Sequence, residues 1–105
     1  MTEAIELEPE YVALVRAILR RHVPRGVRVY AFGSRAKRLV RVRYADVDLC
    51  LRGEGRVEAK VINALKDAFD ESILPYRVDV LDWHTLREPF RSRIEKDFVE
   101  VMTAG

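Results

Sequence analysis

Residues 27–51 read VRVYAFGSRAKRLVRVRYADVDLCL, and the rest of the chain is arranged around this segment. In residues 27–32, small and β-branched side chains alternate with larger or charged ones, and this period-2 alternation is typical of a β-strand. Gly33 and Ser34 follow, and we expect them to end the strand in a tight turn. A basic connection then leads to a second apolar strand. The stretch therefore predicts two strands joined through a Gly-Ser turn.

The second predicted strand carries two carboxylates on one face. Because successive side chains alternate across a pleat, Asp46 and Asp48 point away from the face of Val47 and Leu49. Two unit charges about 6 Å apart repel by roughly 3 kcal/mol at an effective dielectric constant of about 20. We therefore expect a cation between them. A Lys or Arg side chain could serve, and so could Mg²⁺, which prefers oxygen ligands.

A third strand can complete this acidic cluster. Residues 76–81 read YRVDVL, so Val78 and Val80 point to one side and Asp79 points to the other. Asp79 is therefore the expected third carboxylate.

These residues together resemble a known family. The Gly33-Ser34 pair, the Asp46-Val47-Asp48 triplet after eleven further residues and the separate Asp79 resemble the nucleotidyltransferase domain of the DNA polymerase beta superfamily. At this length the chain is most similar to the minimal nucleotidyltransferase (MNT) proteins, many of which are antitoxins paired with a HEPN-domain toxin. The resemblance implies the polymerase-beta-like fold. That is an α/β (α+β) fold with a small mixed sheet and helices packed mainly on one side, which agrees with the predicted order of helices and strands.

The resemblance also implies an activity. The chain would be a metal-dependent nucleotidyltransferase that moves a nucleoside monophosphate, AMP from ATP, to a hydroxyl group such as a tyrosine of a HEPN-type toxin. Asp46, Asp48 and Asp79 would be the catalytic residues and would hold Mg²⁺ in a two-metal site. The nucleotide-binding residues would be Gly33, Ser34 and Arg35, which lie next to one another in the chain.

Alternatives remain open at each of these levels. Ser34 can bind phosphate at the start of a short helix, or it can simply cap that helix. The whole chain can instead be a non-catalytic binding module that neutralises or scaffolds a partner by direct contact. A transferase acting on a small hydroxylated molecule is the third possibility.

Composition limits the other classes. The 105 residues, 49% hydrophobic and 34% charged, are expected to form a single minimal nucleotidyltransferase domain over residues 1–105. The sequence has no apolar run of the roughly 20 residues that a membrane helix needs and no signal-peptide pattern, so no membrane association and a cytoplasmic location are expected. The single cysteine, Cys50, is expected to be a small buried hydrophobic residue.

The charge is unevenly distributed although the net charge is only +2. No acidic residue lies between Glu10 and Asp46, whereas arginines and one lysine recur throughout that interval. Such a segment can bind nucleotide phosphates, an acidic partner or nucleic acid, or it can be a solvated surface. Direct nucleic acid binding is disfavoured by the acidic cluster that follows it. Homo- and hetero-oligomers are both compatible with the sequence.

We expect most of the remaining segments to form helices that pack in the core. Residues 9–23 and 57–69 have the apolar spacing of amphipathic helices. A final helix is expected from Pro89, with Phe90, Ile94, Phe98 and Val101 along one stripe. Trp83 and His84, in a turn before it, can either pack against the domain or flank a nucleotide base.

Overall fold

A computed structural model of the chain describes residues 9–33 and 47–104. Within these residues the chain forms, in order, α1 (Pro9–His22), β1 (Arg28–Phe32), β2 (Val47–Arg52), α2 (Ala59–Asp70), β3 (Val78–Asp82), α3 (Phe90–Glu95) and β4 (Val99–Thr103). A single 3-10 turn, Trp83–Thr85, links β3 to the segment before α3. The three predicted strands and the first two predicted helices are confirmed, with ends that move by one or two residues.

The strands form one mixed sheet in the order β3-β2-β1-β4. Strand β1 is antiparallel to both β2 and β4, whereas β2 and β3 are parallel. The parallel pair requires a crossover, and α2 provides it. This arrangement confirms the prediction of a small mixed sheet.

The two faces of the sheet are covered unequally. Helices α1 and α2 pack on one face, where the larger apolar cluster includes Leu19, Leu49 and Leu65, all with no exposed surface. The other face carries a smaller cluster of Phe32, Cys50, Trp83 and Ile94 beneath the six-residue α3. The helices therefore lie mainly on one side, as expected from the sequence. The thinner covering leaves room on the second face for a site.

Helix α1 shows why these residues form a helix. Pro9 stands at its first position, where a missing N–H is not needed, and Glu10 is in its first turn. Its last turn contains Arg20, Arg21 and His22, and the negative end of the helix dipole favours such basic side chains. The buried residues recur at three- and four-residue spacing: Val12, Val15, Ile18 and Leu19. One apolar stripe therefore fixes the helix on the sheet.

The predicted final helix is wrong beyond Glu95. Phe90 and Ile94 lie in α3, but Val101 lies in strand β4, which pairs with β1. The four apolar residues do not form one stripe, because Ile94 belongs to the cluster under α3 and Val101 to the cluster on the opposite face. The free edge of β1 explains the difference, since β4 satisfies backbone groups there that a helix would have left unpaired.

Strand β3 is tied to the start of α2 by a buried carboxylate. Asp82 is 5% exposed and accepts hydrogen bonds from the backbone N–H groups of Val57, at 3.0 Å, and His84, at 3.2 Å. Both bonds are made at the carboxyl end of β3. In the described part of the chain, no helix is long and apolar enough to cross a membrane.

Candidate active site

One row of side chains runs across the less covered face of the sheet. Phe32 of β1 is paired with Asp48 of β2, and Asp48 is paired with Asp79 of β3. Paired residues on neighbouring strands point to the same face, and the strands lie about 4.8 Å apart. The two carboxylates are therefore neighbours at the amino ends of β2 and β3. The predicted meeting of Asp48 and Asp79 on one face is observed.

The turn after β1 approaches this row closely. Gly33 has a φ of 83°, and a Cβ atom built on it would lie 2.7 Å from Oδ2 of Asp48. That separation is shorter than any real Cβ contact, so a larger residue at position 33 would displace the carboxylate. The backbone of Gly33 and the Asp48 side chain are therefore in close contact.

Asp79 also has a cationic neighbour. Nε of Arg77 lies 3.6 Å from Oδ1 of Asp79, and the two side chains are 74% and 41% exposed. Ion pairs this exposed contribute only about 0–1 kcal/mol, so Arg77 can readily give way to a stronger cation. The sequence already contained this pair, because residues two apart in a strand share a face.

The other predicted site residues fall outside the described residues. Ser34 and Arg35, expected to bind phosphate, and Asp46, expected to share a face with Asp48, all lie between positions 33 and 47. Within residues 9–33 and 47–104, no group of three or more His, Cys, Asp or Glu side chains is placed to hold a metal ion. The described part of the cluster therefore consists of the Asp48 and Asp79 carboxylates.

The donor set of these two residues fits a hard divalent cation. Both supply carboxylate oxygen, the ligand type that Mg²⁺ uses when it is held by one or two carboxylates together with substrate phosphates. The absence of a side chain at Gly33 lets its backbone approach Oδ2 of Asp48. Cys50, two residues from Asp48 on the same strand, is a buried thiol, and His84 lies beyond the far end of β3.

Trp83 and His84 do not flank this row. Trp83 is 7% exposed, and the guanidinium carbons of Arg52 and Arg91 lie 4.2 and 4.9 Å from its ring centroid. Nε2 of His84 lies 2.8 Å from the carbonyl oxygen of Gly53. Both residues follow the carboxyl end of β3, whereas Asp79 is near its amino end. Of the two interpretations left open by the sequence, packing against the domain is the one observed.

An aromatic neighbour of the row was not predicted. Phe90, the first residue of α3, contacts Phe32 edge to face, with ring centroids 6.5 Å apart. The helical spacing of the apolar residues predicts only a packing role for Phe90, because it places this residue in a longer helix. Its 39% exposure is the feature that periodicity alone could not reveal.

Comparisons with known proteins identify the family of this chain. A family described as the nucleotidyltransferase domain matches residues 12–103. The chain is 41% identical over 97 residues to a protein of Haemophilus influenzae named probable protein adenylyltransferase MntA, and the match covers 92% of this chain and 83% of that protein.

Solved structures are similar in fold. A chain of a toxin–antitoxin complex with AMP-PNP superposes with a TM-score of 0.70 at 18% identity, over 92% of this chain and 75% of that one. A second complex, described as a tri-AMPylated HEPN toxin from Shewanella oneidensis with its MNT antitoxin, gives a TM-score of 0.62 at 16% identity, over 93% of this chain and 74% of that one. At these identities the likeness is one of fold.

Proposed function

This chain belongs to the nucleotidyltransferase domain family, and from that premise we propose that it transfers AMP from ATP to a tyrosine hydroxyl of a HEPN-type toxin and so acts as an antitoxin. The observation that carries the proposal is the pairing of Asp48 with Asp79 beside the backbone of Gly33. A transferase of this kind has to hold a triphosphate and a cation at one place. Asp48 and Asp79 would supply carboxylates for the cation, and the backbone of Gly33, which lies beside Asp48, would contact the phosphates.

The names of the similar proteins support both halves of this proposal. The relative from Haemophilus influenzae is named as a protein adenylyltransferase, which concerns the reaction. The two solved complexes are described with AMP-PNP and with an AMPylated HEPN toxin, which concerns the nucleotide and the acceptor.

We assign the metal ligands to the carboxylates. Asp48 and Asp79, with Asp46 from the preceding segment, would hold Mg²⁺ through oxygen atoms. The bound cation would offset charge on the triphosphate and lower the pKa of the attacking hydroxyl. Gly33 presents backbone to the phosphates, and Ser34 and Arg35 would orient them and offset charge on the leaving group.

The transfer exchanges one bond for another at the α-phosphorus. The acceptor oxygen forms a bond to the α-phosphorus, and the bond from that phosphorus to the bridging oxygen of the β-phosphate breaks, so pyrophosphate leaves. Asp79, on the strand next to Asp48, would accept the proton of the acceptor hydroxyl. The acceptor would therefore approach from the β3 side of the row.

The direct test is a labelling experiment. The purified chain is incubated with Mg²⁺ and a HEPN-domain toxin from the same source, using ATP labelled at either the α- or the γ-phosphate. We expect only the α-label to reach the toxin. Asp48→Asn and Asp79→Asn should each lower the rate on the order of 100-fold or more, because each removes charge that the transition state needs.

A matched control is an aspartate remote from the row. Asp67→Asn, on the exposed surface of α2, should transfer label at the parent rate. Label arriving from the γ-position would contradict nucleotidyl transfer, as would full activity of the Asp48→Asn chain. Toxin neutralisation without any transfer would favour the alternative in which the chain acts by contact alone.

A further inference from the structure

Among the described residues, two large hydrophobic side chains are clearly exposed, and one of them borders the row. The exposed fractions are 84% for Ile73 and 39% for Phe90. Ile73 belongs to neither apolar cluster and lies in the connection between α2 and β3. Phe90 contacts Phe32, whose partner across the sheet is Asp48. An exposed aromatic ring is therefore one side chain away from a proposed metal ligand.

Packing of α3 does not account for this ring. Ile94 is the buried residue of α3, at 5% exposure. Phe98, which follows α3, packs against the same cluster: it stacks on Tyr30 with centroids 4.7 Å apart and meets the Trp83 ring at 5.7 Å. Phe90 therefore lies at the edge of this cluster. Its ring contacts Phe32 edge to face.

The nucleotide and the acceptor are proposed to bind at opposite ends of the row. The turn at Gly33, proposed to receive the phosphates, follows β1, whereas Asp79, proposed to accept the proton, lies on β3. With the acceptor approaching from the β3 side, in-line displacement sends the pyrophosphate towards β1, so the triphosphate of ATP lies on the β1 side of the row. Phe90 contacts the β1 member of the row and therefore lies on the nucleotide side.

We infer that Phe90 is the surface on which the base of the bound nucleotide stacks, an inference that rests on the proposed function. Aromatic side chains bind bases through their faces, and this contact tolerates any base because each has a π face. Phe90 therefore supplies affinity for the nucleoside part of the substrate. The phosphates are held separately, by the turn and the carboxylates.

The test compares ligands with and without a base. Dissociation constants are measured in Mg²⁺ for ATP and for inorganic tripolyphosphate, using the full chain and its variants. Phe90→Ala should weaken ATP binding on the order of 10-fold, the usual loss for one base stack, and leave tripolyphosphate binding unchanged. Phe90→Leu should also weaken ATP, because it keeps apolar bulk but lacks a π face, whereas Phe90→Tyr should bind ATP as the parent does.

Ile73→Ala is the matched control, since it truncates the other exposed hydrophobic side chain and should change neither constant. Unchanged tripolyphosphate binding shows that a variant retains its folded site. Parent-like ATP affinity in Phe90→Ala and Phe90→Leu would overturn the inference, and so would equal losses for ATP and tripolyphosphate. A parent chain that binds ATP but transfers no α-label would instead overturn the proposed function, while one that binds no ATP would overturn both.

Discussion

Gly33 combines a backbone conformation that favours glycine with a contact that excludes a side chain. Its φ of 83° lies in the left-handed region, where a residue with a Cβ is destabilised by roughly 1–2 kcal/mol. Gly26 has a similar φ of 87°, but a Cβ there would meet nothing within 4 Å. The two glycines therefore separate the effect of backbone strain from the effect of the close approach to Asp48.

Alanine at each glycine should have different consequences for activity. We expect Gly33→Ala and Gly26→Ala each to lower the free energy of unfolding by about 1 kcal/mol, measured by urea denaturation. Only Gly33→Ala should also reduce α-label transfer on the order of 10-fold or more, because its Cβ would displace the Asp48 carboxylate. Equal activity in the two variants, per folded molecule, would show that the approach at Gly33 does not position Asp48.

The Cys50 thiol should be unreactive in the native chain, and it should make the free energy of unfolding depend on pH above pH 9. It has no exposed surface, and its burial raises the pKa of the thiol from 9.0 to about 12, with a smaller contribution from the charge of Asp82. At pH 8 the native chain should resist alkylation by iodoacetamide, whereas the urea-unfolded chain should react. Rapid alkylation of the native chain would contradict the buried position.

The raised pKa of Cys50 also fixes the sign of a pH effect on stability. Below pH 9 the thiol is protonated in both states, so its contribution is complete. Between pH 9 and about 12 the unfolded state loses this proton first, so the free energy of unfolding should fall as the pH rises. Cys50→Ala lacks the thiol, and its pH profile over this range should be flatter than that of the parent.

At the scale of secondary-structure elements, Asp82 joins β3 to α2. Replacing it with alanine leaves the N–H groups of Val57 and His84 without their acceptor. We expect Asp82→Ala to lower the free energy of unfolding by about 2 kcal/mol, because unsatisfied buried donors cost about 1–3 kcal/mol. Transfer per folded molecule should be unchanged, since Asp82 lies at the far end of β3 from Asp79.

The control for Asp82 is another aspartate that ends an element. Asp70 is exposed at the last position of α2, so Asp70→Ala should change the free energy of unfolding by no more than about 0.5 kcal/mol. Urea denaturation measures both variants. An Asp82→Ala chain as stable as the Asp70→Ala chain would show that the buried carboxylate does not tie the two elements together.

Among the secondary-structure elements, three strands could be predicted from the sequence and the fourth could not. Strands β1, β2 and β3 were predictable because each alternates apolar and polar residues, and that alternation also placed Asp48 and Asp79 on one face. Strand β4 was missed because Phe90, Ile94, Phe98 and Val101 coincide with helical spacing. Only the pairing of β4 with β1, a contact between residues distant in sequence, decides in favour of a strand.

The pairing of the two carboxylates was predictable for a related reason. The face of each carboxylate follows from local alternation, so Asp48 and Asp79 could be assigned from the sequence. The position of Phe90 depends on where α3 ends and how it crosses the sheet, which local periodicity does not specify. The distance from Gly33 to Asp48 likewise depends on the register between β1 and β2.

At the scale of the whole molecule, the sheet separates two apolar clusters that share its strands. Leu49 of β2 has no exposed surface and lies in the cluster under α1 and α2. Trp83, the single tryptophan of the chain, lies in the cluster on the opposite face. Neighbouring residues of one strand serve both clusters, since Cys50 follows Leu49. Loss of packing on one face should therefore destabilise the other.

Leu49→Ala tests whether the two clusters unfold together. A buried Leu→Ala substitution costs about 2–5 kcal/mol, a large part of the roughly 5–15 kcal/mol that stabilises a typical domain. We expect the urea midpoint to fall equally when it is followed by Trp83 fluorescence and by far-ultraviolet circular dichroism, as cooperative unfolding of a small domain requires. Ile73→Ala, which truncates an exposed side chain, should move neither midpoint.

A Trp83 transition that stayed at the parent midpoint while the circular dichroism transition fell would show that α3 and its cluster fold as a separate unit. The proposed nucleotide site, which is built partly on α3, could then lose its Phe90 contact without loss of the sheet.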